Sequence, residues 1–220
     1  MKKILCPALD SFPKAKKERA LTLCRRLEKL YPNAVCALEF GSDPFRLLVM
    51  ARLSAQCTDK RVNEVSKPLF EKYPDVFSFA KASRDELEEL IRPCGLFRSK
   101  ADQILKMSTM LIEKYNGEIP RDKGSLMALP GVGEKIANLM LGDAFGDPHI
   151  VADTHCIRLA GRFRLSDSEN PAKVTKDLEK IIPKAEQADF CHRLITLGRE
   201  FCKAQGARCK ECPMKEFHEE

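Results

Sequence analysis

The chain has 220 residues and a mass of 24.9 kDa, with 44% hydrophobic residues, 32% charged residues and a formal net charge of +6. This length allows one large or two small domains that bury a core without disulfides, so size does not explain the ten cysteines. No apolar run approaches the roughly 18 residues of a membrane span, and the composition excludes collagen-like and disordered classes. The N-terminal apolar stretch is too short for a signal peptide, which predicts a cytoplasmic protein with reduced thiols.

Positive charge is concentrated at the start of the chain. Residues 1–37 contain nine Lys or Arg and three Asp or Glu, whereas the remainder is close to neutral. A basic leading helix can contact a polyanion such as nucleic acid, but such a helix is more often a solvated face. Charge alone is therefore weak support for a nucleic-acid partner.

Apolar residues recur at helical spacing along most of the chain, and no segment alternates as a strand would. Helix starts are predicted at Asp43-Pro44, at Asn170-Pro171 and at Ser83, where Glu86 completes a capping box. Pro, Gly and Asn separate about ten helices of ordinary length, without a long linker. The sequence therefore predicts an all-α fold with compact subdomains, which can be discontinuous if the N-terminal helix packs beside the C-terminal ones.

A helix, a tight turn and a second helix are predicted between residues 125 and 140. The turn reads Leu129-Pro-Gly131-Val132-Gly133. Its two glycines can adopt positive φ and allow another molecule to approach closely. The amides from Val132 to Lys135 can then point outward at the positive end of a helix dipole, as in a phosphate cradle. A plain helix-helix corner is the alternative interpretation.

Two residues near this turn have types that suit covalent chemistry. Lys135 lies in the first turn of the second helix, where the dipole disfavours a cation, and partial burial against the hairpin would also favour the nucleophilic free amine. Asp153 precedes a helical run and is well placed as an N-cap, yet a carboxylate held there could also stabilise developing positive charge. When each residue is considered alone, Lys135 is better interpreted as a surface lysine and Asp153 as a helix cap.

Leu129-Pro-Gly-Val-Gly-Glu-Lys135 followed by Val151-Ala-Asp153-Thr-His155 resembles the helix-hairpin-helix motif and the catalytic lysine and aspartate of the endonuclease III family of DNA glycosylases. Further matches are Leu53-Ser-Ala-Gln56, Cys94-Gly-Leu96-Phe-Arg-Ser-Lys100 and Leu197-Gly-Arg199. The resemblance extends from about residue 15 to residue 218. Several motifs in this order and spacing favour the functional interpretations of Lys135 and Asp153.

The resemblance implies two compact helical subdomains with a DNA-binding cleft between them. A six-helix barrel would span residues 37–147 and contain the helix-hairpin-helix at about 123–142. A discontinuous helical domain would join residues 1–36 to residues 148–220 and end in a metal-cluster loop at 202–218.

The resemblance also implies the reaction. Lys135 would attack C1′ of a flipped, damaged nucleoside and form an imine with the opened sugar, while Asp153 stabilises the cationic sugar and relays protons. β-Elimination from the imine would make the enzyme a bifunctional glycosylase and abasic-site lyase, with oxidised pyrimidines as the expected substrate class. The expected partner is double-stranded DNA with a damaged base or an abasic site. No membrane partner is expected, and the protein is expected to be a monomer.

Gln56 and Leu96 match the family positions that fill the hole left by the flipped nucleotide. Glutamine can hydrogen-bond to the orphaned base and leucine can stack against it. A capping or loop glutamine and a core leucine are the alternatives. The other predicted DNA contacts are Leu129, Gly131, Val132, Gly133, His155, Lys203 and Arg208.

Three cysteines near the C-terminus, Cys202, Cys209 and Cys212, have the spacing of a metal site. The family's structural [4Fe-4S] cluster uses this spacing with a fourth cysteine where this chain has His218. Imidazole ligates iron in Rieske centres and Cys3His is also a zinc set, so the alternatives are a His-ligated cluster, zinc and a degenerate site without metal. The cluster is favoured. The other seven cysteines are predicted to be inert core thiols.

Two other functions are considered. A monofunctional relative of the adenine-mismatch branch would typically lack the lysine found at position 135. A catalytically silent helix-hairpin-helix protein that binds DNA or senses redox state would need neither Lys135 nor Asp153. The presence of both residues in register favours the bifunctional enzyme.

Overall fold

The computed structural model describes residues 6–215 and contains eleven α-helices, with no β-strand in that range. The helices are α1 Lys16–Leu30, α2 Pro44–Leu53, α3 Asp59–Lys72, α4 Val76–Ala80, α5 Arg84–Ile91, α6 Phe97–Tyr115, α7 Lys123–Ala128, α8 Glu134–Leu139, α9 Thr154–Arg162, α10 Pro171–Glu179 and α11 Gln187–Glu200. Short 3-10 helices lie at Pro7–Ser11, Arg92–Cys94, Lys184–Glu186 and Pro213–Lys215, and a π-helical segment, Met140–Ala144, continues α8. The predicted all-α fold is confirmed. Among the described helices, none combines the length and apolar character needed to cross a membrane.

Two predicted helix starts are capped as expected. Asp43 Oδ1 accepts hydrogen bonds from the amides of Phe45 and Arg46 at 2.9 and 3.3 Å ahead of α2. Asn170 Oδ1 accepts from the Lys173 amide at 3.1 Å ahead of α10. Both helices begin with proline, which suits the first helical position because its amide would have no intrahelical partner. Both predictions are confirmed.

The capping box predicted at Ser83 and Glu86 is wrong. Ser83 precedes α5, but its side chain makes no cap hydrogen bond. Glu86 instead accepts from the Tyr73 hydroxyl at 3.0 Å and pairs with Lys72 at 3.0 Å, and these two partners hold the pKa of Glu86 below its usual range. The carboxylate is therefore bound by the last residue of α3 and by its C-cap rather than by the start of its own helix.

Residues Cys36–Gly146 form one compact unit that contains α2 to α8. Its core includes the ring of Phe79, which packs against Phe45 and Phe70 with centroids 5.3 and 5.9 Å apart. The longest helix, α6, packs against α2, α4 and α5. The sequence predicted a six-helix barrel for residues 37–147. The unit has seven α-helical segments when the five-residue α4 is counted.

The second unit joins Met1–Val35 to Asp147–Glu220, of which residues 6–35 and 147–215 are described. Within it, α11 packs against both α1 and α9, and α9 packs against α10. The unit is therefore discontinuous in sequence, with the N-terminal helix packed against the C-terminal helices. Its boundaries differ by one residue from the predicted 1–36 and 148–220.

Two basic residues of α1 are buried rather than solvated. Arg26 Nη1 and Nη2 donate to the hydroxyl and the carbonyl of Ser11, each at 3.0 Å, and its guanidinium lies 4.1 Å from the centroid of the Phe12 ring. Arg19 donates to the Pro13 carbonyl at 3.1 Å. Part of the N-terminal charge excess therefore binds the segment before α1 to the helix, which corrects the interpretation of α1 as a solvated face.

Candidate functional site

The helix-hairpin-helix consists of α7, the turn that follows it and α8. The Val132 amide donates to the Leu129 carbonyl at 3.1 Å and closes the turn. The prediction that this amide points outward is therefore wrong. The side chains of Leu129 and Val132 are 2% and 7% exposed. Both belong to the core beneath the turn, so neither side chain is available to a ligand.

Gly131 is the turn residue that requires glycine, for two reasons. Its φ is +81°, whereas the φ of Gly133 is −99°, so only one of the two predicted positive φ angles is present. A Cβ at Gly131 would lie 2.5 Å from Gln103 Oε1 of α6 and 2.9 Å from Arg52 Nε of α2. Arg52 Nε donates to Gln103 Oε1. The turn therefore packs against the hydrogen-bonded side chains of Arg52 and Gln103, which belong to two other helices.

Lys135 is the second residue of α8, and its side chain is exposed. The predicted partial burial is wrong, because α8 buries the face that carries Ala137 and Asn138. The preceding Glu134 pairs with Lys123 of α7, with Nζ and Oε1 2.8 Å apart. This ion pair joins the two helices of the hairpin and directs the carboxylate of Glu134 toward Lys123.

Gln56 and Leu96 share an unusual backbone conformation. Gln56, shortly after α2, has a φ of +54°, and Leu96, immediately before α6, has a φ of +48°. Both side chains are exposed, Leu96 to 54%. A left-handed conformation costs a residue other than glycine roughly 1–2 kcal/mol and clusters at functional positions. The exposure of Leu96 excludes the core-leucine alternative.

Lys100 connects the two loops that carry Gln56 and Leu96. It is fully buried, and its Nζ donates to the carbonyls of Leu53 and Cys94, each at 2.8 Å. Leu53 is the last residue of α2, three residues before Gln56, and Cys94 lies two residues before Leu96. Burial lowers the pKa of Lys100. Lys100 lies within one of the motifs that match the family, and its position on the buried face of α6 is the sequence signal that indicates a structural role.

Replacement of Lys100 by methionine is expected to destabilise the protein by about 2–4 kcal/mol. Methionine fills a similar volume, but the two buried carbonyls lose their donor. The measurement is the free energy of unfolding in urea. Lys114→Met, at an exposed position in the last turn of the same helix, is the control and should change it by less than about 0.5 kcal/mol. Equal unfolding midpoints for the two variants would contradict the role of Lys100.

Asp153 is the N-cap of α9, as predicted, and its Oδ1 accepts from the Cys156 amide at 2.7 Å. The segment before the cap is held by Cys191 of α11, whose Sγ accepts from the Val151 amide at 3.3 Å. A hydrogen bond to Cys191, together with burial, raises the pKa of the Cys156 thiol. Two cysteines expected to be inert core residues therefore hold the Asp153 segment against α11.

His155 also packs against α11. Arg158 Nη2 lies 3.0 Å from His155 Nδ1, and a Cβ at Gly198 would approach that nitrogen to 2.7 Å. The glycine of the Leu197-Gly198-Arg199 motif therefore makes room for His155. The histidine supports the segment next to Asp153, and its predicted phosphate contact stays a prediction.

The three predicted cysteine ligands line one pocket together with a fourth thiol, that of Cys6. The pocket is lined by Cys6, Pro7, Ala8, Arg162, Phe163, Leu197, Phe201, Cys202, Cys209 and Cys212. Burial, with a further contribution from negative charge on the other three thiols, raises the pKa of Cys6 to about 11. No group of three or more Cys, His, Asp or Glu within residues 6–215 has the arrangement of a metal centre. The predicted ligand His218 lies outside the described residues.

Arg162, the last residue of α9, organises this pocket. Its Nη1 donates to Cys202 Sγ at 3.0 Å and to the carbonyls of Cys202 and Lys203 at 3.0 and 2.9 Å. Its own carbonyl accepts from the Cys6 amide at 3.0 Å. One residue therefore holds both the first predicted ligand and the N-terminal segment.

The cysteine loop, residues 202–212, contains two predicted DNA contacts, Lys203 and Arg208, and these two residues differ in their contacts. Lys203 is exposed. Arg208 Nη2 donates to the Glu200 carbonyl at 2.8 Å, and Nη1 lies 3.2 Å from Glu211 Oε2. The Arg208 guanidinium therefore fastens the loop to the end of α11, a role that sequence reasoning missed. Phosphate contacts by both residues stay predictions.

The chain is similar to known DNA repair proteins over most of its length. The model of the HhH-GPD superfamily base excision DNA repair proteins matches residues 49–184, a span that includes Gln56, Lys135 and Asp153. Endonuclease III of Bacillus subtilis is 44% identical over 190 residues, which cover 86% of each chain. Endonuclease III of Synechocystis sp. is 41% identical over 201 residues, which cover 91% of each chain. The chain belongs to the endonuclease III family.

A solved structure of a trapped endonuclease III–DNA covalent intermediate, an estranged-adenine complex, matches the chain with a TM-score of 0.86 and 46% identity. The match covers 90% of this chain and 93% of that one. Membership of the endonuclease III family confirms the predicted resemblance and the expectation of a base-excision-repair DNA glycosylase.

Proposed function

We propose that this member of the endonuclease III family is a bifunctional DNA glycosylase and abasic-site lyase that removes oxidised pyrimidines from double-stranded DNA, with Lys135 and Asp153 as its catalytic residues. The observation that carries the proposal is the exposed amine of Lys135 at the start of α8, directly after the hairpin turn. A relative with 46% identity was trapped as a covalent intermediate with DNA, which requires a nucleophile on the protein.

In the proposed reaction, Lys135 Nζ attacks C1′ of the extruded nucleoside. The bond from C1′ to the base breaks, and its electron pair leaves with the base, which takes up a proton. The lysine nitrogen loses a proton and its lone pair then breaks the C1′–O4′ bond, O4′ takes up a proton, and the opened sugar remains as an imine on the lysine. Loss of the C2′ proton then expels the 3′ phosphate by β-elimination.

Asp153 has two compatible functions in this proposal. Its Oδ1 caps α9, which fixes the orientation of the carboxylate. The second oxygen takes no part in the cap and can stabilise positive charge on the sugar or carry a proton. The bonds from Val151 to Cys191 and from Asp153 to Cys156 restrict the segment on both sides, so the carboxylate needs little rearrangement on DNA binding.

Several of the proposed DNA contacts lie in the unit that contains the hairpin. Gln56 and Leu96 would enter the space left by the flipped nucleotide, and their left-handed backbone presents both side chains to solvent before DNA binds. Lys100 sets the spacing of the two loops through its bonds to Leu53 and Cys94. The backbone of the hairpin turn at Gly131 and beyond would contact phosphate.

We propose a structural [4Fe-4S] cluster, the group that the family resemblance implies, on Cys202, Cys209 and Cys212. The pocket fits this group because its three thiols are soft ligands, its other walls are mostly apolar, and Arg162 donates to Cys202 Sγ. The spacing places His218 at the fourth position, and zinc on the same Cys3His set is the alternative. When bound, the cluster would order the cysteine loop.

The proposal is tested on a duplex that contains a ring-saturated pyrimidine. The wild-type protein should release the free base and cleave the strand by β-elimination. Asp153→Asn should slow base release by about 10²–10⁴-fold. Asparagine caps helices as well as aspartate does, so this variant keeps the start of α9 and its unfolding midpoint should be unchanged.

An Asp153→Asn variant as fast as the wild type would remove Asp153 from the mechanism. Release of adenine from a mismatch without strand cleavage would favour the monofunctional alternative, and binding without base release would favour the silent DNA-binding protein. The cytoplasmic location and the monomeric state expected from the sequence stay predictions.

A further inference from the structure

Cys6 lies in the pocket where the three predicted cluster ligands meet. Its side chain is 7% exposed and lines the same pocket as Cys202, Cys209 and Cys212. In the sequence, Cys6 has no neighbour at ligand spacing and was predicted to be an inert core thiol. Its location in the fold groups it instead with the three C-terminal cysteines.

We propose that Cys6 is the fourth protein ligand of the iron-sulfur cluster, in the place for which the C-terminal spacing predicts His218. The inference rests on the cluster proposed above and identifies one of its ligands. It requires that the N-terminal segment be held at the cysteine loop by contacts that do not depend on the metal.

Arg162 provides the first of these contacts. The Cys6 amide donates to the Arg162 carbonyl at 3.0 Å, and the Arg162 guanidinium donates to Cys202 Sγ at 3.0 Å. The backbone of Cys6 and the sulfur of the first C-terminal ligand are therefore bound to the same residue. This arrangement brings together two parts of the chain that lie near its opposite ends.

Further contacts hold the segment after Cys6. The 3-10 helix Pro7–Ser11 packs against the 3-10 helix Pro213–Lys215, which directly follows Cys212. The ring of Phe12 packs edge-on against Phe163, with centroids 5.6 Å apart. Arg26 of α1 binds both the hydroxyl and the carbonyl of Ser11. The position of Cys6 beside the loop is thus determined by several independent interactions.

The donor set also favours this assignment. Four cysteine thiolates are the ordinary ligands of a [4Fe-4S] cluster, whereas histidine ligation is a departure seen in Rieske-type centres. With Cys6, the pocket supplies four soft sulfur donors in mostly apolar surroundings. The chain therefore has a complete thiolate set despite the histidine at position 218.

The test uses full-length protein purified without oxygen, with iron and acid-labile sulfide measured per chain. The wild type should contain about four of each. Cys6→Ala should lose at least about one iron in four and show the EPR signal of a three-iron cluster, while His218→Ala should keep the wild-type iron content and spectrum. Cys24→Ala is the matched control, because Cys24 is a buried thiol of α1 in the same unit that does not line the pocket. Circular dichroism checks that each variant keeps its helices.

Full iron content in Cys6→Ala, or loss of iron in His218→Ala with Cys6→Ala intact, would overturn the proposal. Pulsed EPR of the reduced wild-type cluster gives an answer that does not depend on the folding of a variant. It should detect no nitrogen bound to iron, and a coordinated imidazole nitrogen would refute the assignment. If the wild-type protein contains only zinc, the proposed iron-sulfur cluster is refuted, and the assignment of Cys6 as its ligand is refuted with it. This outcome differs from one in which the cluster is present but Cys6 is not a ligand.

Discussion

Replacing Lys135 by glutamine is expected to abolish the adduct that borohydride traps between this protein and an abasic-site duplex. The glutamine amide has a similar reach but is not nucleophilic, so no imine forms and there is nothing for borohydride to reduce. Strand cleavage by β-elimination should fall at least about 10³-fold, since loss of a covalent nucleophile commonly removes most of the catalysis. The measurements are adduct yield on a denaturing gel and single-turnover cleavage.

The structure also predicts that Lys135→Gln loses adduct formation and strand cleavage because the nucleophile is missing, and not because the fold is destabilised. Lys135 is exposed, so Lys135→Gln should leave the urea unfolding midpoint unchanged. Lys67→Gln is the control, because Lys67 is an exposed lysine on α3 in the same unit and the charge change is identical. Its adduct yield should be within about twofold of wild type. Undiminished trapping by Lys135→Gln would assign the imine to another amine of the chain.

Gly131→Ala is expected to have the second large effect, through the geometry of the hairpin. The new Cβ would meet Gln103 Oε1 at 2.5 Å and Arg52 Nε at 2.9 Å, and alanine is strained at a φ of +81°. We expect a loss of at least about 2 kcal/mol in the free energy of unfolding, from the strained backbone and the displaced side chains together. The affinity of this variant for undamaged duplex DNA should also fall, because the turn can no longer pack against α2 and α6.

Gly133→Ala is a matched control for this prediction. Gly133 has a φ of −99°, and a Cβ there would meet no atom within 4 Å. Its unfolding free energy should change by less than about 0.5 kcal/mol. If its DNA affinity, measured by fluorescence anisotropy, nevertheless falls, the added methyl group obstructs close approach of the phosphates. Equal stability of the two alanine variants would contradict the packing role of Gly131.

Features that depend on a few adjacent residues could be predicted from the sequence. Asp43, Asn170 and Asp153 are helix caps as expected, because a cap bond joins a side chain to an amide two or three residues later. The order of helix, turn and helix around Gly131 follows from the same local rules. The family resemblance rests on several such short motifs, which explains why it could be identified without a structure.

Features that depend on a distant partner were predicted less well. Ser83 and Glu86 have the spacing of a capping box, but Lys72 and Tyr73 bind the carboxylate. The predicted burial of Lys135 failed for a related reason. The sequence places it in the first turn of a helix, but the packing of α8 decides which side of that turn faces the core.

The sequence by itself determined the helical class, the hairpin, and a lysine and an aspartate at the spacing of a DNA glycosylase, because these are properties of short segments. Only the tertiary structure decided which residues support them. Lys100 joins the two loops around α6, and Arg162 brings Cys6 to Cys202 from the other end of the chain. A contact of this kind joins residues that share no local pattern, so it exists only after the helices have packed. The assignment of Cys6 as the fourth ligand of the proposed cluster therefore depends on the fold rather than on the cysteine spacing.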